Sequence, residues 1–308
     1  MNAFPERIEP MAQATGQPSV AVVVASLGRP ELITQCIAEM ARQTRRPDVL
    51  LFSVVHAGDL PDDFAESEGV HVVMGPKGLC AQRNRALDWL AGRYDVVMFY
   101  DDDFVPARNS VEKIAEFFAA HPDVAGATGN VLRDGICTSG ISHSEARDIL
   151  AEHESRDFHP NCIVCSLDGL YGCNMAYRTS AIAGQRFDER LKLYGWQEDV
   201  DFAASLRGQG RIVKTFAFSG VHMGIKSGRI SGVRFGYSQI INPPYLARKG
   251  TMSVGTAARL MTRNLLANHA KVFWPEPWVD RVGRVKGNWI GIADLMRGRL
   301  TPERVEGL

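Results

Sequence analysis

The chain has 308 residues, 45% hydrophobic and 23% charged, with 35 basic and 35 acidic side chains that cancel formally. That length holds one large α/β domain or a domain with a smaller appendage, and the composition excludes a disordered or fibrous chain. No stretch reaches the ~18 uninterrupted apolar residues of a membrane span. The first 18 residues, with Pro5, Pro10 and Pro18, lack the apolar core of a signal peptide and read as a loose leader.

Residues 19–26 form a continuous apolar run, as expected of a strand covered on both faces. Pro30 opens a helix whose apolar positions Leu32, Ile33, Cys36, Ile37 and Met40 share one stripe. Strands follow at 49–55 and 70–74, then a helix at 79–90 with Arg83 and Asn84 near its start. The strand 95–100 delivers three consecutive carboxylates, Asp101-Asp102-Asp103, directly followed by Phe104-Val105-Pro106. Like charges this close repel, and nearness to a core worsens the repulsion. The triplet becomes sensible if a hard divalent cation sits among these oxygens, Mg2+ or Mn2+ being the expected ions. A solvated acidic turn is the alternative. A helix at 110–120 buries Val111, Ile114 and Phe118.

Strands alternating with helices predict a mainly parallel, doubly wound α/β sheet with ligands beyond the carboxyl ends of its strands. No GxGxxG, P-loop or GxSxG motif occurs, which disfavours a dinucleotide dehydrogenase, a P-loop kinase and an α/β-hydrolase. Residues 134–160 are polar and read as a surface excursion with one short helix near 145–152. Cys162 and Cys165 have zinc-like spacing that His159 and Cys173 would complete, but strand-like Ile163-Val164 would turn the thiols apart. The alternative is six reduced thiols of a cytosolic protein.

Further along, Glu198 and Asp199 fall in the first turn of a helix running to Leu206, where the N-terminus favours negative charge. An ionised carboxylate there suits a general base, although plain capping explains the same placement. Trp196 beside Gly195 offers an aromatic surface for a sugar face. A strand over 213–219 ends near His222, which could complete a metal site holding Asp103. Lys226 and Arg229, set among glycines, could close on a diphosphate.

The last third is basic: residues 223–308 carry 14 Lys/Arg against 5 Asp/Glu. An anionic partner, a nucleotide diphosphate, lipid-linked phosphate or acidic membrane surface, fits that bias, as does a merely solvated basic face. Two amphipathic helices are expected at 253–273 and 285–300. They pack on the catalytic domain, form a homodimer, or lie on a bilayer as peripheral contacts. Nucleic acid is not an expected partner.

Together these pieces resemble family 2 glycosyltransferases of the GT-A fold over roughly residues 19–225. The first strand with Arg29-Pro30 resembles the family's nucleotide-binding start, and Gly78-Leu79-Cys80-Ala81-Gln82-Arg83-Asn84 its G-x-x-x-x-R-N helix. Phe99 to Asp103 resembles the DxD-type motif, Tyr171 to Arg178 the acceptor-side strand, and Phe187 to Asp201 the segment ending in the ED motif.

The resemblance implies a metal-dependent, inverting glycosyltransferase that moves a sugar from a nucleotide-diphosphate donor to a hydroxyl of a glycan or lipid-linked acceptor. Polysaccharide biosynthesis at the cytoplasmic side is the implied setting. Asp199, with Glu198, is the implied base. Asp103, Asp101 and His222 are the metal ligands. Ser26, Arg29, Arg83, Asp101, Asp102, Lys226 and Arg229 face the donor, and Trp196 and Asn174 face the acceptor. A sugar-phosphate nucleotidyltransferase or an inactive sugar-nucleotide-binding module are the rival readings.

One departure stands out. The family's Asp-rich turn after the second strand is His56-Ala57-Gly58-Asp59 here, so UDP is the default donor base with dTDP and GDP open. The implied layout is a leader at 1–18, a catalytic domain at 19–225 with its donor part at 19–106 and acceptor part at 107–225, and a helical extension at 226–308.

Overall fold

The computed structural model describes residues 16–156, 161–228 and 230–308. The elements run β1 (Val20–Ala25), α1 (Pro30–Ala41), β2 (Val49–Val54), β3 (Val70–Met74), α2 (Leu79–Leu90), β4 (Val96–Asp101), β5 (Phe104–Pro106), α3 (Ser110–Ala120) and β6 (Val124–Asp134). Then come α4 (His143–Glu154), β7 (Ile163–Ser166), β8 (Asn174–Arg178), α5 (Thr179–Ile182), α6 (Glu198–Ser205) and β9 (Arg211–His222). The helices α7 (Gly232–Lys249), α8 (Val254–Lys271) and α9 (Arg281–Met296) close the chain.

The described strands form one sheet in the order β3-β2-β1-β4-β8-β6-β9-β5, with β7 on β9. Its first half is parallel, as the alternation of strands and helices predicts, and β8 enters antiparallel between β4 and β6. The continuous apolar run of β1 is explained by its two faces. Val20, Val22 and Val24 pack into one core with Phe117 and Phe118, while Ala21 and Val23 pack into the other with Phe187 and Phe202. A strand buried on both sides has no polar position to alternate with.

Three elements differ from expectation. The helix expected near 145–152 is present as α4 but runs longer, over three turns, and buries Ala146 and Leu150 against Val105 and Val221. Ser142 caps it through a bond from the Glu145 amide. β9 is longer than the predicted 213–219 and carries His222 as its last residue. α7 holds Pro243 and Pro244 in its interior, a pair that masks the helix from any propensity reading.

α7 belongs to the main core, since Tyr245 and Leu246 join the cluster that contains Phe187 and Phe202. α9 then lies against α7 with backbones in contact. A Cβ at Gly236 would meet the Arg284 carbonyl oxygen at 2.1 Å, and one at Gly287 would meet that of Val233 at 2.0 Å. Only glycine fits such an approach. We expect Gly287→Ala to destabilise the fold by about 1–3 kcal/mol through overpacking, read as a lower urea midpoint. Gly255→Ala on α8, where a Cβ meets nothing within 4 Å, should be neutral or stabilising by up to about 1 kcal/mol.

Candidate active site

The carboxyl end of β4 carries Asp101, and the chain turns through Asp102 and Asp103 into β5. β5 pairs antiparallel with the end of β9, Phe104 opposite His222, which brings Asp103 beside His222. Asp103 Oδ1 lies 3.4 Å from His222 Nε2. On its other side His222 Nδ1 lies 2.9 Å from Asp134 Oδ1, and Tyr171 Oη donates to Asp134 Oδ2 at 2.7 Å. Asp134 ends β6, in register with His222 on β9. Burial works against a charged imidazole, yet Asp103 and Asp134 hold His222 above its ordinary value. Burial likewise opposes both carboxylates, and their bonds to His222 still hold them below the ordinary range.

One ligand atom each from Asp101, Asp103 and His222 lie within 4.8 Å of one another. Two hard oxygens and an imidazole nitrogen, the latter fixed from behind by a carboxylate, suit a divalent cation of the Mn2+ or Mg2+ type. Among the described residues this is the sole cluster of three such groups. The cysteines do not form one: Cys162 and Cys165 are exposed, Cys173 is buried, and His159 lies outside the described residues.

Asp102 faces away from these ligands. Its oxygens accept from Ser26 Oγ at 2.7 Å and Arg29 Nη1 at 2.9 Å. Burial pushes its carboxyl up to about 6, against the pull of Arg29 and with repulsion from Asp103. Arg29 also reaches the Ser227 carbonyl, which ties the first strand end to the loop after β9. Lys226 Nζ donates to the carbonyls of Gly135 and Ile136 at 2.7 and 3.1 Å. Arg229 lies outside the described residues.

At the start of α6, Asp199 accepts from the Gly172 amide at 2.9 Å and from the Val200 amide at 2.8 Å. Burial raises its pKa, and these two amides restrain the rise. Gln197, in the left-handed region at φ 76°, turns the chain sharply into the helix.

Glu198 points the other way, to Arg83. Arg83, 2% exposed, donates to Glu198 Oε1 at 2.5 Å and to Asp101 Oδ1 and the Gly172 carbonyl at 3.1 Å each. It lies over the rings of Phe99 and Phe187 at 5.7 and 5.4 Å. Burial opposes its charge, but Glu198 and Asp101 hold it protonated. Its neighbour Asn84 pins the Phe187 backbone by a bond in each direction, 2.9 Å to the carbonyl and 2.8 Å from the amide.

Two cavities meet at the metal-ligand cluster. A groove of about 1040 Å³ runs past Ser26, Arg29, Asp102, Asp103 and Lys226. A pocket of about 480 Å³ holds Glu198 and Asp199. Both are walled by Asp101, Tyr171, Trp196 and His222. Arg83 and Asn174 line neither. Asn174 is fully buried, and its side-chain amide has no partner within the protein.

The model of the family described as glycosyl transferase family 2 matches residues 21–183, just over half of the chain. The chain belongs to glycosyl transferase family 2. It is accordingly a glycosyltransferase with a GT-A fold. No curated protein matches the chain at a significant level.

Among solved structures it is similar to the mannosyltransferase PcManGT from Pyrobaculum calidifontis in complex with GDP-Man and Mn2+. That likeness has 16% identity and a TM-score of 0.53 over 91% of this chain and 88% of that one. It is also similar to residues 1–349 of TarS from S. aureus, with 14% identity and a TM-score of 0.52 over 94% and 83% of the two chains.

Within this family member, three groups escape a reading of the sequence alone. Asp134 looks like the start of a polar loop, and only strand pairing reveals it behind His222. Tyr171 sits in a recognised segment, but its bond to Asp134 depends on a chain reversal that no local pattern shows. Asp59, at the second acidic place of the turn after β2, is fully buried. Its carboxylate accepts the amides of Gly28, Val55 and His56 at 2.8, 2.9 and 3.0 Å. It ties the loop between β1 and α1 to the turn after β2.

Removing the guanidinium strands the buried Glu198 and unpairs the partly exposed Asp101. Arg83→Met should cost about 3–5 kcal/mol in urea unfolding, and adding Glu198→Gln should recover a substantial part of that loss.

Proposed function

We propose that this glycosyltransferase transfers a sugar from a nucleoside-diphosphate sugar to an acceptor hydroxyl with inversion, assisted by a divalent cation. The carrying observation is the position of Asp199 in a pocket that shares its wall with the Asp101–Asp103–His222 cluster. In this reading the groove takes the donor, with Ser26, Arg29, Asp102 and Lys226 along the nucleotide and diphosphate, and the pocket takes the acceptor against Trp196. The GDP-Man and Mn2+ named for the Pyrobaculum neighbour support a donor of this class and a metal of this type.

Asp199 accepts the proton of the acceptor hydroxyl as its oxygen bonds to the anomeric carbon. The bond from that carbon to the diphosphate oxygen breaks, and the nucleoside diphosphate leaves from the opposite face. Asp101, Asp103 and His222 would hold Mn2+ or Mg2+, which when bound neutralises charge on the leaving diphosphate. Asp134 acts on the same atoms from behind: it fixes the His222 ring so that Nε2 faces Asp103. Glu198 is spent on Arg83 and positions the helix turn that presents Asp199. A glycan or lipid-linked acceptor in polysaccharide assembly is the setting of this reading, its hydroxyl entering the pocket against Trp196.

Asp199→Asn should lower transfer by about 10²–10⁴-fold while leaving donor affinity intact in calorimetry. In the wild type the acid limb of kcat/KM should fall above the ordinary aspartate value, since burial raises that carboxyl and only its ionised form accepts a proton. Undiminished transfer by the Asn variant would remove Asp199 from the mechanism. Asp134→Asn should weaken Mn2+ binding about 10–100-fold in a direct titration of the metal without substrate; unchanged affinity would place the ion elsewhere.

A further inference from the structure

The outer surface of the last two helices carries large apolar side chains with no cover from the rest of the protein. Leu266, Phe273 and Trp274 on and after α8, and Val282, Trp289 and Met296 on α9, are between 56% and 84% exposed. The sets follow helical spacing. Leu266 and His269 share one stripe of α8, Phe273 and Trp274 follow just past its end, and Val282, Trp289 and Met296 recur every seven residues along α9.

The stripes are joined, because Trp289 Nε1 donates to His269 Nε2 at 3.0 Å and the two rings meet edge to face at 5.9 Å. Through that contact the exposed apolar side chains of the two helices adjoin across a helical hairpin. No helix of the described residues is long and apolar enough to cross a membrane.

Charge decides what covers this face. Arg259, Arg263, Lys286, Arg297 and Arg299 are exposed on the same hairpin, and none makes an ion pair among the described residues. Of the five acids after residue 222, only Glu306, in the last turn of the chain, is exposed with neither an ion pair nor a capping bond among the described residues; the others are turned inward or spent. Glu276 holds Lys271 and Arg281, Asp280 caps α9 through the Gly283 amide, Asp294 is fully buried against Tyr237 and Arg304, and Glu303 pairs with Arg190. A second copy of this chain would bring like-charged faces together. An anionic lipid surface satisfies both the apolar stripe and the cations.

We propose that the α8–α9 hairpin docks in the interface of a bilayer rich in anionic lipid, with Phe273, Trp274, Trp289 and Met296 in the headgroup boundary. This surface stands apart from the catalytic assignment and needs none of it. It also adjoins the long groove, whose far end is lined by Arg263, Lys271 and Trp278. Docking therefore keeps the groove, and the acceptor pocket that shares its wall, beside a lipid surface that would carry an acceptor on a lipid phosphate.

Flotation of the full chain with vesicles rich in phosphatidylglycerol, against vesicles of pure phosphatidylcholine, tests this. Binding to the anionic vesicles only, falling with added salt and accompanied by a blue shift of tryptophan emission, is the expected result. Phe273→Ser with Trp274→Ser should reduce partitioning more than about tenfold. Arg297→Gln and Arg299→Gln should each reduce it about fivefold. All these side chains are exposed, so the circular dichroism melt of each variant should match the parent. Absence of binding to anionic vesicles, or equal binding by the apolar variant, overturns the proposal. So does a solution dimer that Phe273→Ser with Trp274→Ser dissociates, which would assign the face to a second copy.

Discussion

Arg83 is a cation placed where water cannot reach it, between an aspartate from the end of one strand and a glutamate from the first turn of a distant helix. A buried charge is tolerated only if its surroundings return what hydration supplied, and here two carboxylates, a carbonyl and two aromatic faces do so. The carboxylates are equally dependent on it. Without the guanidinium, Asp101 would face Asp103 with only His222 and Arg29 to offset the repulsion, and Glu198 would face Asp199 without its neighbouring cation. The arrangement therefore fixes the separation of the two acidic clusters, and with it the distance between the groove and the pocket.

A second layer of constraint comes from the sheet. β8 runs antiparallel between β4 and β6, and the ends of β6 and β9 emerge side by side beyond it. This is why one carboxylate from the β4–β5 turn, one imidazole from β9 and one supporting carboxylate from β6 converge although they are far apart in sequence. Tyr171 closes the set from the loop before β8. Each member is held by at least one other, so the cluster exists as a preformed unit and does not wait for a ligand to gather it.

Much of this was legible in the amino-acid order because the signals were local. The apolar runs of β1 and β4, the stripe of α1 and the Asp triplet each announce themselves within ten residues. Glu198 and Asp199 could be placed in a first helical turn from a stretch that opens after Gly195 and stops at Gly208 and Gly210. What was not legible depends on register between distant segments. Asp134 reads as loop until β6 is laid beside β9.

Two other features were hidden for different reasons. The family resemblance implies a donor role for Arg83, whereas its side chain runs inward between the carboxylates and lines neither cavity. The helix over 232–249 is masked by Pro243-Pro244, and its glycines look like loop residues until a neighbouring helix is seen resting on them.

That resting contact has a mechanical consequence. Where two helices meet through side chains, small rotamer changes let one rock on the other; where backbone touches backbone at Gly236 and Gly287, no such slack exists. α7 is itself rooted in the central core by Tyr245 and Leu246. The outer helix is thus welded to the catalytic body, and any surface it rests upon sees the cleft at a single, inherited tilt.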